Sequence, residues 1–189
     1  MKKIMTLILT VLLTISFVGC GTNTSNNSDT SNNSDKSNNI WGIKYYVDEF
    51  NKPTNNRYIT NVKLFNGVFS NSATTNSSLS AKLIIDPNGL YIMLWEYGNH
   101  QVKGYTAIGY KIILQGTDGK KTNITGLMKK NSDRITVDIS EWETFVGLII
   151  SNEKINVYIE EKSDYGYSST YIFEIKQDNF NKVFSDYCL

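Results

Sequence analysis

The chain has few of the residues that metal and nucleophile chemistry needs. Its 189 residues include one histidine, two cysteines and two prolines. A single histidine excludes the zinc sites that use paired histidines, and no serine lies in a GxSxG elbow. The sequence also has no GxGxxG, GxxxxGK[ST], HExxH or EF-hand pattern. We therefore expect no metal, no cofactor and no enzymatic activity.

An excess of charge of either sign is also missing. The chain has 19 Lys and Arg against 18 Asp and Glu, which gives a net charge of +1. Loss of a leader containing Lys2 and Lys3 would leave 17 of the 19 basic residues against the same 18 acidic ones, or about −1. Nucleic-acid binding needs a basic footprint, so we expect no nucleic-acid partner.

The one long apolar run lies at the N-terminus. Lys2 and Lys3 precede residues 4–18, which are almost entirely apolar. This run of about 15 residues suits a signal peptide and is shorter than the ~20 residues that span a bilayer. We expect residues 1–19 to be a signal peptide. An ordinary secretory signal and an uncleaved anchor remain alternatives to the interpretation that follows.

The end of this run resembles the lipobox of bacterial lipoproteins. Val18, Gly19 and Cys20 fit that motif, and Phe17 stands where such families carry Leu, Val or Ile. The resemblance implies cleavage before Cys20 and attachment of a diacylglyceryl group to its thiol, with palmitate among the acyl chains. Two or more acyl chains give stable anchoring where a single chain does not. The implied location is the extracytoplasmic face of the cell membrane, with the protein held by its lipid.

A polar segment separates this cysteine from the rest of the chain. Residues 22–39 are almost entirely Asn, Ser, Thr and Asp, in a short repeat that begins SNNSD. Such a segment has no apolar side chains with which to offset the entropy of ordering. We expect residues 20–39 to be a disordered tether with a root-mean-square span of roughly 22–26 Å. A glycosylated or recognition tail is the alternative.

The composition changes at Ile40 and Trp41, and residues 40–189 have the length of one domain. The dominant pattern is alternation of apolar and polar residues, which is typical of antiparallel strands with one face in a core. The clearest runs are Ala81–Ile85, Tyr110–Leu114, Ile135–Ile139, Ile155–Ile159 and Tyr171–Ile175. Turn signals separate them at Asp86–Gly89 and Thr117–Lys120. The pattern predicts a mainly β fold, an antiparallel β-sandwich or flattened barrel.

Two short helices are predicted within this domain. Ser140 and Glu143 have the spacing of a capping box, and Phe145, Leu148 and Ile149 follow on one helical face. The second helix is shorter, with Asp178 as its cap and Phe180, Val183 and Phe184 turned inward.

Candidate site residues are few. Tyr165 and Tyr167 flank a glycine at a predicted loop tip, where they would form a ligand-binding pair or pack over the sheet edge. Residues 66–76 are rich in small polar side chains and predict a long connection or a polar binding surface. His100 is expected to be an exposed turn residue. Cys188, the one cysteine left after lipidation of Cys20, is expected to be incidental.

The domain also resembles the small exported lipoproteins of anaerobic bacteria. The residues that carry this resemblance are Trp41, Asp48 and Gly67–Ala73. These proteins have no assigned activity, so the resemblance implies none. We expect a non-catalytic binding or interaction module at the cell envelope, with an envelope protein as partner. A carbohydrate or cell-wall binding module is the alternative, and an envelope enzyme is the second alternative.

Overall fold

The computed structural model describes residues 39–162 and 168–188, and these residues form eleven strands and two helices. The strands are β1 (Trp41–Val47), β2 (Pro53–Asn61), β3 (Phe65–Asn71), β4 (Thr74–Asp86), β5 (Gly89–Glu96), β6 (His100–Gln101), β7 (Ile108–Gln115), β8 (Lys121–Met128), β9 (Ile135–Val137), β10 (Lys154–Lys162) and β11 (Thr170–Lys176). The helices are α1 (Trp142–Ser151) and α2 (Phe180–Cys188). The prediction of a mainly β fold with two helices is confirmed.

Eight of the strands close into an antiparallel barrel in the order β4-β3-β11-β10-β7-β8-β9-β5, with β5 pairing back to β4. Strands β1 and β2 form a hairpin that joins the barrel where β2 pairs with the end of β4. Strand β6 adds two residues beside β5. Since each barrel strand has a neighbour on both sides, the barrel leaves no open strand edge.

Alternating side chains fill the interior of the barrel. The inward residues predicted from the pattern on β4, β7, β10 and β11 are all buried. In the predicted run on β9, Ile135 and Val137 are also buried. Ile139 of that run is exposed because β9 ends at Val137. The Asp138 carboxylate accepts hydrogen bonds from the backbone and hydroxyl of Ser140, which turns the chain there. These inward side chains form one buried hydrophobic cluster, so the interior of this barrel is filled by the protein's own residues.

The predicted capping box at α1 is wrong. The helix begins at Trp142 after Glu141, whose side chain makes no capping bond. The Ser140 hydroxyl donates to Asp138 instead. The Glu141 carboxylate accepts from the backbone N–H and hydroxyl of Thr125, at 2.6 and 2.9 Å. Bonds to neighbouring strands therefore replace the local cap.

Helix α2 follows the prediction, with Phe180, Val183 and Phe184 buried. Asp178 does not serve as its predicted cap: one carboxylate oxygen accepts from the backbone of Ile40, 2.9 Å away. Asn179 exchanges two hydrogen bonds with the backbone of Trp41. The C-terminal helix thus holds the first strand in place. Neither described helix has the length and apolar character needed to cross a bilayer.

Candidate functional site: the rim of the barrel

The two ends of the barrel differ. Helix α1 joins the end of β9 to the start of β10, and α2 follows the end of β11, so both helices lie at one end. Their buried side chains belong to the hydrophobic core. At the opposite end lie the β3–β4 turn, the β5–β6 turn and residues 102–107 and 129–134. We call this second end the rim.

The rim segments are tied to one another by backbone hydrogen bonds. Gly104 donates to the carbonyl of Ser132 at 2.9 Å, and Asn131 donates to the carbonyl of Gly104 at 2.6 Å. Val102 donates to Leu94 at 2.9 Å. A Cβ atom on Gly104 would lie 2.8 Å from the carbonyl oxygen of Lys129, so this close approach requires glycine. The rim is therefore an ordered surface that can present side chains in fixed positions.

Two exposed tyrosines stand on the rim. The side chain of Tyr105 is 83% exposed and that of Tyr97 is 54% exposed. The rings of Tyr97 and Phe69 pack edge to face, with their centroids 4.9 Å apart. Exposed, ordered aromatic rings supply contact area at little cost in conformational entropy.

The backbone at Tyr97 is strained. Its φ is 52°, in the left-handed region that glycine and asparagine adopt most readily. The next residue, Gly98, also has a positive φ, of 86°, and glycine adopts this backbone conformation without strain. A bulky residue held in this conformation stores about 1–3 kcal/mol, and such residues cluster at functional sites.

A polar pair lies beside the Tyr97–Phe69 contact, since Phe69 also stacks on Tyr171 with the ring centroids 6.3 Å apart. The Tyr171 hydroxyl donates to a Glu96 carboxylate oxygen at 3.2 Å. Burial raises the pKa of Glu96, and Glu161 raises it further, while the Tyr171 bond and His100 lower it. Burial also raises the pKa of the Tyr171 and Tyr110 hydroxyls. Both phenols are thus hydrogen-bond donors at neutral pH, and Glu96 is an acceptor that ionises less readily than an exposed carboxyl.

The raised pKa of Glu96 predicts a pH-dependent gain in stability for Glu96→Gln. The native state holds the Glu96 proton more tightly than the unfolded state, so the wild-type protein loses stability as pH rises through the native pKa. Glutamine does not titrate, and its oxygen still accepts from Tyr171. We expect the variant to unfold at a higher temperature than wild type at neutral pH, and the difference to vanish at low pH.

Thermal unfolding of both proteins between about pH 3 and about pH 8 measures this difference. A variant that is less stable than wild type at neutral pH would show that the charged form of Glu96 is the one the fold stabilises.

The structure brings some of the residues singled out in the sequence to the rim. His100 is exposed as the first residue of β6, directly after the predicted turn. Residues 66–76 are not the long connection we predicted: they form most of β3, a two-residue turn and the start of β4. The Asn71 side chain accepts from the backbone of Ala73 and Thr74, which closes that turn.

The remaining candidates do not enter the rim. Cys20, Tyr165 and Tyr167 lie outside the described residues. Cys188 is a free cysteine on α2. The residue as a whole is exposed, but partial burial of its sulfur atom raises the pKa of the thiol. Within residues 39–162 and 168–188 no group of three or more His, Cys, Asp or Glu side chains is arranged to hold a metal ion.

Sequence reasoning missed Tyr97, Tyr105 and Glu96. The signal for Tyr97 was present, since it opens a turn with Gly98 and Asn99 between two strands. No sequence signal marks Tyr105 or Glu96, because they join the rim only through the closure of the barrel. No family model, no curated protein and no solved structure matches this chain.

Proposed function

We propose that residues 40–189 are a flattened-barrel, non-catalytic binding module, held at the extracytoplasmic face of the cell membrane by lipid on Cys20. Its partner is an envelope protein that contacts the rim. The lipobox-like residues 17–20 support the anchor, and the polar segment 20–39 supports a tether that lets the module reorient near the membrane.

The anchor is tested by Cys20→Ala. This change removes the thiol that the lipid needs, so we expect incorporation of labelled palmitate to fall to background and the protein to leave the membrane fraction. The matched control is Cys188→Ala, which removes the other cysteine and should label like wild type. Labelling that persists in Cys20→Ala would overturn the anchor.

The observation that carries the binding role is the strained backbone of Tyr97. Asparagine tolerates its φ of 52° better than tyrosine does, yet the chain keeps a large, half-exposed ring there. A residue that stores strain and presents a ring to solvent is better explained by a contact than by stability. The filled interior of the barrel leaves the outer surface for that contact.

Tyr97→Asn should therefore separate stability from binding. Relief of backbone strain offsets the lost contact with Phe69, so we expect the free energy of unfolding to change by less than about 1 kcal/mol. Capture of the envelope partner should fall at least about tenfold because the central ring of the rim is gone. Chemical crosslinking in intact envelopes, followed by pull-down with wild-type and variant protein, measures the loss.

Two results would decide against this account. If wild-type protein captures no specific protein, the rim has no protein partner. If the variant captures the partner as well as wild type does, Tyr97 has no part in the contact.

A carbohydrate or cell-wall binding module remains the alternative, and the exposed rings of Tyr97 and Tyr105 favour it, since aromatic rings stack on the apolar faces of sugars. On this alternative Tyr165 and Tyr167 would add two more rings. Recovery of wall polysaccharide in place of a protein would support it, and its loss in a Tyr165→Ala/Tyr167→Ala double variant would assign those residues.

An envelope enzyme is the second alternative. The raised pKa of Glu96, caused first by burial and also by the charge of Glu161, favours it, because a carboxyl with a raised pKa can act as a general acid. Turnover of a wall polysaccharide that disappears in Glu96→Gln would support this function.

A further inference from the structure

A second surface lies on the side of the barrel, away from the rim. Lys44 of β1 stands opposite Tyr58 of β2, and Lys82 of β4 stands opposite Met93 of β5. Since alternate residues of a strand share a face, these side chains all lie on the outer face, with Ala81 and Leu83 turned inward. We call the surface the tyrosine wall. Its residues are Lys44, Tyr46, Tyr58, Lys82, Tyr91 and Met93.

The tyrosine wall is not covered by either helix. Trp41 points to the opposite side of β1 from Lys44, and its ring lies against Phe180 of α2 with the centroids 4.7 Å apart. Helix α2 therefore packs on the other side of the β1–β2 hairpin. Helix α1 packs against α2 and β10. All the aromatic side chains of the wall keep part of their surface in contact with solvent.

Within residues 39–162 and 168–188, the two lysines of the wall have no ion pair with a carboxylate. Lys82 is half-buried, and burial and then Lys44 lower its pKa. The ion pairs among the described residues join Arg134 to Asp133, Lys154 to Glu174 and Lys182 to Asp186, and neither wall lysine takes part in them. Two neighbouring ammonium groups without a counter-charge attract an anion.

The Asp86 carboxylate, which lies on the same face of β4 as Lys82, already has its own partners. Asp86 is buried and accepts from the Tyr46 hydroxyl at 2.6 Å. Its other oxygen accepts from the backbone N–H groups of Asn88 and Gly89, at 2.7 and 3.1 Å. Asp86 therefore stabilises the β4–β5 turn and holds Tyr46 in position. An anion that binds the two lysines has to come from outside the described chain.

The tyrosines beside these lysines form an aromatic strip, in which the rings of Tyr46 and Tyr58 are tilted by 44°. The rings of Tyr46 and Tyr58 have their centroids 4.7 Å apart. Burial raises the pKa of the Tyr46 and Tyr91 hydroxyls, so both stay protonated; Asp86 accepts the hydrogen of Tyr46, and the Tyr91 hydroxyl can donate to a ligand. A strip of rings and hydroxyl donors suits a sugar, which has apolar C–H faces and hydroxyl edges.

We propose that the tyrosine wall binds an anionic glycan, with a sugar ring on Tyr58 and a carboxylate or phosphate group between Lys44 and Lys82; the Tyr91 ring is already covered by the Arg134 guanidinium, 5.9 Å from its centroid. A polymer fits better than a protein surface, since a standard protein interface buries about 800 Å² on each partner, more than this strip of six side chains supplies. The site goes beyond the protein contact at the rim and does not depend on it.

The test measures binding of purified protein in a non-ionic detergent to four probes by isothermal titration calorimetry. Polygalacturonate carries carboxylates on sugar rings, and phosphorylated dextran carries phosphates. Neutral dextran has rings without charge, and polyglutamate has charge without rings. We expect binding to one or both of the anionic glycans, and affinities for neutral dextran and polyglutamate at least about tenfold weaker.

The variants separate this site from general attraction to polyanions. Lys44→Gln/Lys82→Gln should weaken glycan binding at least about tenfold, and Tyr58→Ala should weaken it with its unfolding temperature monitored in parallel. The matched control is Lys111→Gln/Lys121→Gln, which removes two exposed lysines from β7 and β8 on another part of the barrel. This control should bind like wild type.

Carboxylate and phosphate probes identify which anion the wall prefers, and binding to either supports the proposal. Three results would overturn it: no binding of either anionic glycan, polyglutamate binding as tightly as they do, or an equal loss in the Lys111/Lys121 control. The lysine variant still tests the proposal if Tyr58→Ala fails to fold, because neither Lys44 nor Lys82 forms an ion pair in the part of the chain that the structure describes.

Discussion

Trp41→Ala is expected to lower the free energy of unfolding by about 3–5 kcal/mol, as large-to-small changes of a buried tryptophan do. The Trp41 side chain is 2% exposed and contacts the rings of Phe65 and Phe180. Its indole N–H donates to the carbonyl of Lys176 at 2.8 Å. The variant would open a cavity between the barrel and α2 and leave that carbonyl without its donor.

The loss should be greatest at β1, which is an edge strand paired only with β2. Trp41 is the first residue of β1 and follows the proposed tether in sequence. Its contacts therefore also hold β1 in the fold when the tether is under tension. Denaturant unfolding measures the change, and hydrogen exchange of the β1 amides locates it. Trp41→Phe keeps most of the apolar contact and should cost less, while Tyr105→Ala at the exposed rim should change stability by less than about 0.5 kcal/mol. Equal losses for Trp41→Ala and Tyr105→Ala would contradict this role.

Asn61→Leu is expected to destabilise the protein by about 2–4 kcal/mol, because it leaves several buried backbone groups without partners. Asn61 is buried where β4 changes its neighbour from β3 to β2. Its side-chain oxygen accepts from the Leu83 N–H at 2.7 Å. Its NH₂ group donates to the carbonyls of Lys63 and Ala81, at 2.9 and 3.1 Å.

The neighbouring Thr60 hydroxyl donates to the Leu83 carbonyl at 2.6 Å, so side chains replace the missing strand partner over this gap. Asn123→Leu is the matched control, since Asn123 is an exposed asparagine in β8 and should change stability by less than about 0.5 kcal/mol. Denaturant unfolding of the two variants gives the comparison. If Asn61→Leu is as stable as the control, the Asn61 side chain does not stabilise the point where β4 changes its neighbour from β3 to β2.

This junction also shows why the sequence predicted the strands better than their arrangement. The runs at Leu83 and Ile112 alternate because one face of each strand is in the core, and alternation is visible in a single sequence. The eight-stranded barrel closes because the long strand β4 pairs with both β3 and β5. Near its end β4 pairs with β2 as well. That sharing depends on Asn61 and Thr60, and nothing in their local sequence distinguishes them from other polar residues.

Strand β3 was missed for a related reason. It has two buried aromatics, Phe65 and Phe69, with Gly67 between them where an apolar residue would complete the pattern. A Cβ atom at Gly67 would collide with the carbonyl oxygen of Ile172, so the close approach of β11 requires glycine. The residue that weakens the strand signal is the one that lets the barrel close.

The candidate site was the least predictable part of the molecule. Tyr97 and Tyr105 come from the two sides of β6, and Glu96 and Tyr171 come from strands that are distant in sequence. Their proximity follows from pairing register, which no local pattern encodes. The tyrosine wall was not predictable for the same reason, because the neighbours of Tyr46 on β2 and β5 depend on register.

The central claim is that the rim contacts an envelope protein, and photo-crosslinking in intact cells tests it most directly. A photoreactive amino acid replaces Tyr105 at the rim or, as the control, Ile172, which is 45% exposed on β11. The account predicts one specific protein adduct from position 105, its loss when Tyr97→Asn is added, and no such adduct from position 172. The same adduct from both positions, or none from position 105, would contradict the claim.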